Sequence, residues 1–443
     1  MNKKVMGVQE VSPGYEFVAE IPAVPVGYKQ TEVGVIPEDW SVWPLSEIGV
    51  FYKGQGVKRS DSTSGNIPCI RYGEIYTHHN DIVRSYVSHI SQEVAKTARR
   101  LHIGDVLFAG SGETKSEIGK AVAFISEDEA YAGGDIVILR QRKMIPAFLG
   151  YVLNAPPAVR QKSSKGQGDA VVHISAKALA AVKVPIPPEK DQSAIATALS
   201  DMDVLLEELD RLIAKKRDIK QAAMQQLLTG ETRLPGFEGE WVTRQLGEVI
   251  EKLDAGVSVN STTDMSIEGR PSVLKTSALE NGTLDITETK VIVDKDLSRA
   301  TLTPKKDTIL ISRMNTPNLV GETAYVSDDL NWIYLPDRIW MAQFKKSAGV
   351  CVKWMSYMLC SPSYRNALRE MATGTSGSMK NISKPALLSL KMKFPKQSEQ
   401  EAIAAVISDM DTEIQALEQR RSKTAELKQG MMQELLTGRT RLV

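Results

Sequence analysis

The chain has 443 residues, which at about 150 residues per domain predicts two or three folded units. Its 55 basic and 54 acidic side chains leave a net charge of +1, which excludes a protein that grips nucleic acid through bulk positive charge alone. The sequence shows no signal-peptide pattern, no apolar window of the roughly 18 residues that span a membrane and no CxxC pair among its three cysteines, so we expect a cytoplasmic protein without membrane contact.

The segment GDVLFAGSGETKSEIGKAVAF, in the first half of the chain, is predicted to form a strand, a turn and a second strand. Its residues Phe108–Gly112 also spell an F-x-G-x-G loop of the kind that binds the cofactor of adenine methyltransferases, and Asn154 begins an approximate copy of the catalytic Asn-Pro-Pro motif. Ala155 interrupts that motif, and Ala158 stands where an aromatic residue would stack on the adenine. We therefore favour a turn and keep an adenine-specific DNA methyltransferase as an alternative function.

Two long helices are predicted from apolar residues whose spacing alternates between four and three positions. The first starts near Gln192 and the second near Gln400, and each ends at a Thr-Gly pair, the usual helix stop. About 35 residues at 1.5 Å per residue give each helix a length of about 50 Å. We place Ile219 and Leu427 in the apolar seam. Basic residues on the remaining faces could contact DNA or a partner: Lys215, Lys216, Arg217, Lys220, Arg420, Arg421, Lys423 and Lys428.

The two helices are copies of one sequence, in which Asp201 corresponds to Asp409. The repeat extends upstream, where His173-Ile174-Ser175 corresponds to Asn381-Ile382-Ser383. The two ends of the chain also resemble the two halves of the junction LLTGETRLPGFEGEW, which predicts a pseudo-circular arrangement with twofold symmetry. Two matching seams in one chain predict an intramolecular antiparallel helix pair that holds two variable domains apart.

Four segments together carry a family resemblance: GYKQTEVGVIPEDW, IPPEKDQSAIATALSDMD, KQAAMQQLLTGETRLPGFEGEW and QELLTGRTRL. They resemble the specificity subunits of type I restriction-modification systems from about Gly27 onward. The resemblance implies an α+β fold: two target-recognition domains of mixed α/β structure, separated by two long antiparallel coiled-coil helices, with a pseudo-twofold internal repeat. The predicted boundaries are an N-terminal extension at 1–27, recognition domains at 28–190 and 236–396, and repeat helices at 191–235 and 397–443.

The resemblance also implies the function and the partners. Each recognition domain would read one half of a split sequence in double-stranded DNA, and the chain would contain no catalytic residue, cofactor site or metal site. Two modification subunits would bind S-adenosylmethionine and methylate adenine, and two restriction subunits using ATP and magnesium can join them. A coiled-coil scaffold that reads no DNA remains a third interpretation, since the net charge does not exclude it.

Base readout uses forked or bidentate side chains such as Arg, Lys, Asn and Gln, while phosphates also accept hydrogen bonds from hydroxyls and backbone amides. Several loops combine these residue types with glycine. In the first domain the DNA-contact candidates are Lys53, Gln55, Lys58, Arg59, Arg71, Tyr72, His78, His79, Asn80, Lys162, Lys165 and Gln167. In the second domain they are Lys275, Thr276, Arg313, Asn315, Asn318, Thr373, Thr375, Ser376, Ser378, Lys380 and Asn381.

Overall fold

The computed structural model describes residues 24–262, 269–374 and 379–442. These residues form two compact units. The first unit contains the described residues up to Glu208 together with those from Arg421 onward, and the second contains those of Leu209–Arg420. Each unit thus combines one variable region of the sequence with parts of both long helices.

The first unit is a mixed α/β structure. Its strands are β1 Tyr28–Thr31, β2 Gly34–Pro37, β3 Ser41–Pro44, β4 Gly49–Lys53, β5 Ile67–Ile70, β6 Ser88–Ile90, β7 Arg99–Arg100, β8 Val106–Ala109, β9 Ser111–Gly112, β10 Ala121–Ala123, β11 Tyr131–Ala132, β12 Ile136–Gln141, β13 Val172–His173 and β14 Lys183–Ile186. Its helices are α1 Leu45–Ile48, α2 Tyr72–Thr77, α3 Gln92–Ala95, α4 Pro146–Asn154, α5 Pro156–Lys165, α6 Ala176–Ala180 and the first part of α7 Glu189–Thr229.

The second unit repeats this plan. Its strands are β15 Val242–Gln245, β16 Ile250–Ala255, β17 Ser272–Leu274, β18 Leu279–Glu280, β19 Thr283–Leu284, β20 Thr289–Val291, β21 Thr308–Ser312, β22 Met314–Asn315, β23 Thr323–Val326, β24 Ile333–Tyr334, β25 Ile339–Phe344, β26 Lys380–Asn381 and β27 Lys391–Phe394. Its helices are α8 Leu246–Val249, α9 Val352–Cys360, α10 Pro362–Glu370, α11 Lys384–Leu388 and most of α12 Gln397–Leu435.

The central sheets of the two units have the same topology. The first unit has the antiparallel order β10-β8-β12-β4, and the second has β23-β21-β25-β16. A smaller sheet contains one parallel pair in each unit, β5 with β11 and β17 with β24. The strands β8 and β21 are buried along their whole length and lie within the corresponding segments GDVLFAGSG and KDTILISRM. The internal repeat therefore continues through the variable regions, although their sequences have diverged.

The helix segments run antiparallel within each unit. In the first unit Asp191 pairs with Arg441 and Asp203 pairs with Lys428. Residues further along the first helix therefore pair with residues earlier in the second, as in an antiparallel pair. Ile195 and Leu199 share a buried apolar cluster with Leu435. In the second unit Leu227 and Leu228 share a cluster with Ile403 and Ile407. This confirms the predicted antiparallel pairing. None of the described helices is both long enough and apolar enough to cross a membrane.

The prediction that Ile219 and Leu427 lie in the apolar seam between the helices is wrong. Ile219 is 44% exposed and Leu427 is 58% exposed. The positions that face the opposite helix segment there are Lys220, whose ammonium pairs with Asp411, and the half-buried Lys428. Ion pairs thus replace apolar contacts where the regular alternation of four and three residues would have placed Ile219 and Leu427.

The two ends of the chain complete the first unit in the way that the internal junction completes the second. A Cβ atom on Gly438 would lie 3.1 Å from the Trp40 ring, and one on Gly230 would lie 3.3 Å from the Trp241 ring. Both glycines have positive φ, +70° and +76°, as a helix stop requires. The Tyr28 hydroxyl also donates to the Gly438 carbonyl at 3.0 Å. These contacts confirm that segments near the two ends of the chain meet in the first unit as the two halves of the internal junction meet in the second.

Candidate nucleic-acid interface

Three short segments of the first unit meet beyond the end of β8. The strand β9 pairs antiparallel with β13, so that Ser111 lies opposite His173. The backbones of Gln167 and His173 exchange two hydrogen bonds of 2.9 and 2.8 Å, and the Ile174 amide donates to the Gly110 carbonyl at 3.0 Å. We call the residues at these backbone positions the first ribbon: Gly110, Ser111, Gly112, Gln167 and His173.

The second unit contains the same backbone arrangement. The strand β22 pairs antiparallel with β26, so that Met314 lies opposite Asn381. The backbones of Thr373 and Asn381 exchange hydrogen bonds of 2.9 and 2.8 Å, and the Ile382 amide donates to the Arg313 carbonyl at 2.8 Å. The second ribbon therefore consists of Arg313, Met314, Asn315, Thr373 and Asn381, in one-to-one correspondence with the first.

The repeated motif His-Ile-Ser or Asn-Ile-Ser explains why the two ribbons share one geometry. Ile174 and Ile382 are buried in the cores, 4% and 0% exposed. The hydroxyls of Ser175 and Ser383 cap α6 and α11 by accepting from Ala178 and Ala386 amides. The first residue of each motif is needed for neither task, so its side chain can differ between the units.

In the first ribbon, a buried serine orients an exposed histidine. Ser111 is 5% exposed, and its Oγ lies 2.9 Å from Nδ1 of His173. The ring of His173 is exposed, and no hydrogen bond to Nε2 forms within the described part of the chain. His173 was not among the residues predicted from the sequence, although the two motif copies differ at this position.

In the second ribbon, Arg313 and Asn315 have structural contacts. The Arg313 guanidinium lies 5.4 Å from the centroid of the Trp340 ring, a cation–π contact. Asn315 is 6% exposed, and its amide nitrogen donates to the Ser312 hydroxyl at 3.1 Å and the Thr276 carbonyl at 3.3 Å. Asn315 therefore fixes the position of Thr276, while Arg313, Thr373 and Asn381 retain accessible surface.

A cleft of about 900 Å³ in the first unit collects several further candidates. Tyr72, Asn80 and Lys162 line it beside Ser111 of the first ribbon. Apart from the buried His79, the candidates that do not line the cleft are exposed or half-buried: Lys53, Gln55, Lys58, Arg59, Arg71, His78, Lys165 and Gln167. His78 Nε2 lies 2.8 Å from the Ser85 hydroxyl.

Two of the first-domain candidates lie inside the protein. Lys162 is 1% exposed, its ammonium donates to the Gly119 carbonyl at 2.6 Å, and burial lowers its pKa to about 7. His79 is 3% exposed, and burial lowers its pKa to about 4. Neither side chain is placed to neutralise a phosphate. The sequence did not predict this burial because both lie in otherwise polar segments.

The remaining second-domain candidates are dispersed over half-buried and exposed positions. Lys275 lies 3.4 Å from Glu288, and the Lys380 ammonium donates to the Gly374 carbonyl at 3.2 Å. Asn318 is exposed, and its carbonyl accepts from Arg369. The candidates Thr375, Ser376 and Ser378 lie outside the described residues.

The structure argues against a methyltransferase site at Phe108–Gly112. Phe108 is fully buried in β8, which pairs antiparallel on both sides. Ser111–Gly112 forms the strand β9 and does not begin a helix whose N-terminus could hold a cofactor. The side-chain oxygen of Asn154 accepts from the Ala121 amide, and its nitrogen donates to the Ala121 carbonyl and to Asp81. Asn154 is thus occupied in holding β10.

The basic helix faces are largely neutralised by intramolecular ion pairs. Lys216 lies 2.6 Å from Glu413, and Arg217 lies 2.5 Å from Glu418. Lys428 pairs with both Asp81 and Asp203. Lys216, Arg217, Lys220 and Lys428 thus have acidic partners within the chain, and the expectation that the basic faces contact DNA or a partner stays a prediction.

Comparisons with known proteins agree with this two-unit arrangement. The family described as type I restriction modification DNA specificity domain matches residues 37–215 and 238–428. The type I restriction enzyme MjaVIII specificity subunit of Methanocaldococcus jannaschii is 22% identical, over 92% of this chain and 94% of its own. The EcoKI specificity subunit of Escherichia coli is 24% identical, over 85% and 83%. The crystal structure of an S subunit from M. genitalium has the same fold, with a TM-score of 0.58, 13% identity and coverage of 89% and 96%.

Proposed function

The chain belongs to the type I restriction-modification DNA specificity family, and from that premise we propose that its two ribbons read the two halves of one split DNA sequence. As a specificity subunit, it recognises DNA for a complex with modification and restriction subunits and is not the catalytic subunit of that complex. Neither the methyltransferase nor the scaffold interpretation has support among the relatives.

The comparison of the two ribbons carries this proposal. Their backbones make the same hydrogen bonds, yet all five side chains differ: Gly110 and Arg313, Ser111 and Met314, Gly112 and Asn315, Gln167 and Thr373, His173 and Asn381. A coiled-coil scaffold that reads no DNA would not require the same backbone hydrogen bonds with different side chains in the two ribbons. Two readers of different base sequences need that combination, because specificity comes from side-chain contacts to base edges.

The repeat also supports two copies of the modification subunit, one for each unit. The Tyr151 hydroxyl donates to Asp203 at 2.7 Å in the first unit, and the Tyr357 hydroxyl donates to Asp411 at 2.8 Å in the second. Each unit thus fixes its recognition domain to the helices in the same way, and one partner surface can fit both.

In this proposal the catalytic chemistry belongs to the partners. The modification subunits bind S-adenosylmethionine, two restriction subunits use ATP and magnesium, and this chain holds no cofactor. The assembly acts in the cytoplasm on double-stranded DNA. Phosphate contacts from the partners would supply the affinity that a net charge of +1 does not.

Long-read mapping of methylated adenines tests this function. Host DNA is compared with and without this gene, in the presence of a modification subunit of the same system. We expect a two-part motif that disappears when this gene is deleted. A motif that persists without this chain would refute the proposal, and binding of S-adenosylmethionine by the purified chain alone would favour the methyltransferase.

A further inference from the structure

The corresponding residues His173 and Asn381 occupy the same backbone position in the two ribbons. On one side, His173 is paired with Ser111 and Asn381 with Met314 in a two-stranded sheet. On the other side, the backbone of His173 exchanges two hydrogen bonds with Gln167, and that of Asn381 with Thr373. Their backbone groups are therefore engaged identically, whatever the side chain is. The fold does not determine whether this residue is His or Asn.

We propose that His173 and Asn381 are the corresponding specificity-determining residues of the two half-sites, each contacting the edge of one base pair. The inference rests on the proposed function and extends it to single residues. Residues before the buried Ile174 and Ile382 are held rigidly, as precise hydrogen bonding to a base requires.

The environment of His173 favours contact through one particular atom. Ser111 is buried and lies 2.9 Å from Nδ1, so it orients the ring and occupies that nitrogen. Whichever nitrogen carries the proton, Nε2 is the atom available to a base edge. Gln167, which is also exposed, extends from the adjacent segment of the ribbon and can add a second contact.

The environment of Asn381 differs in a way that fits a different base. The half-buried Asn381 has a side-chain oxygen that is itself buried and has no hydrogen-bond partner among the described residues, so this oxygen loses no hydrogen bond when the side chain turns toward a base. Adenine satisfies an amide completely, because its N6 amino group donates to the oxygen and its N7 accepts from the nitrogen. An adenine contact would therefore pair an acceptor that the free protein leaves unpaired, whereas His173 offers only one atom.

Reciprocal substitution provides the test. In the assembled complex, His173→Asn should change the preferred base at one position of the first half-site toward adenine and leave the second half-site unchanged. Asn381→His should remove a preference at one position of the second half-site only. From the discrimination of good base contacts, we expect each change to alter relative affinity by about 10-fold at that position.

The measurement is binding of the purified complex to duplexes in which each base pair of both half-sites is varied, with methylated-adenine mapping alongside. His102→Asn is the control, because His102 is an exposed histidine of the same unit outside the ribbon, and it should alter no preference. Ser111→Ala should weaken the same preference that His173→Asn alters. Unchanged base preferences in both reciprocal variants would overturn the inference while leaving the proposed function intact; a motif independent of this chain would instead refute that function.

Discussion

The ammonium of Lys428 lies 2.6 Å from a carboxylate oxygen of Asp203 and joins the two long helices inside the first unit. Asp81 of the recognition domain lies 2.8 Å from the same ammonium. Burial lowers the pKa of Lys428, but the charges and hydrogen bonds of Asp81 and Asp203 outweigh it and raise the pKa above its usual value. One cation therefore links three parts of the unit.

Replacement of Lys428 by Met should strongly destabilise the protein. The substitution removes the cation that pairs with the buried carboxylates of Asp81 and Asp203 and leaves Asp203 the longer, 3.6 Å ion pair with Arg84, a loss of about 3 kcal/mol in comparable sites. Chemical denaturation of the purified chain measures the change. Lys423→Met on the exposed surface of the same helix is the control, with a change within about 0.5 kcal/mol. Equal unfolding midpoints for the two variants would contradict the assigned role.

Lys162 should make stability depend on pH. Burial lowers its pKa from 10.5 to about 7, so between these values the unfolded chain binds a proton that the folded chain does not. Stability should therefore rise with pH over this window, by about 1.4 kcal/mol per unit from this residue, and the cost is fully present below pH 7.

The second unit supplies the matched substitution for this test. Leu368 is the seventh residue of α10, as Lys162 is of α5, and it packs against Gly321 as Lys162 packs against Gly119. Lys162→Leu should remove the slope between pH 7 and 10.5, even if loss of the bond to the Gly119 carbonyl shifts stability at every pH. Unfolding free energies at pH 6, 8 and 10 measure the slope; an unchanged slope would show that Lys162 is not the titrating group.

Two corresponding arginines should differ in their contribution to stability. Arg233 makes a two-point contact with Glu399, which is 1% exposed, whereas Arg441 is 37% exposed and shares its charge between Asp39 and Asp191. Arg233→Ala leaves the buried carboxylate of Glu399 without its cation and should lower the free energy of unfolding by about 3 kcal/mol. Asp191 is also buried, at 5% exposure, but it makes only one contact with the more exposed Arg441, so Arg441→Ala should cost less, about 2 kcal/mol. Thermal unfolding of both variants checks the order, and a larger loss for Arg441→Ala would contradict the burial of Glu399.

The sequence predicted those features of the fold that depend on repeated local signals. The end of α7 beside Gly230 and the antiparallel pairing followed from the repeat, whereas α12 ends at Leu435, before the predicted Thr437-Gly438 pair. The seam around Ile219 and Leu427 did not, because a pattern of apolar residues gives no weight to the ion pairs that replace them at the centre. The equal strand order of the two central sheets could not be predicted either. It depends on which strands pair through their backbones, and the sequences of the two variable regions are too different to show this.

The candidate site was predicted only in part, because residue type alone does not report burial. Gln167, Thr373 and Asn381 were selected as polar loop residues and lie together in the ribbons. Lys162 was selected for its charge, but its place in α5 turns it inward. His173 was not selected, although the two copies of its sequence motif differ at this position, and the paired strands show that it corresponds to Asn381.

Binding of the assembled complex to duplexes with one half-site scrambled tests the central claim most directly. The duplexes carry both halves of the mapped motif, the first half alone or the second half alone, at one fixed salt concentration because phosphate contacts depend on salt. If each unit reads one half, scrambling either half should lower the affinity at least 100-fold, since several mismatched base pairs cost roughly 1–3 kcal/mol each. Undiminished binding when either half is scrambled would contradict the account of two readers in one chain.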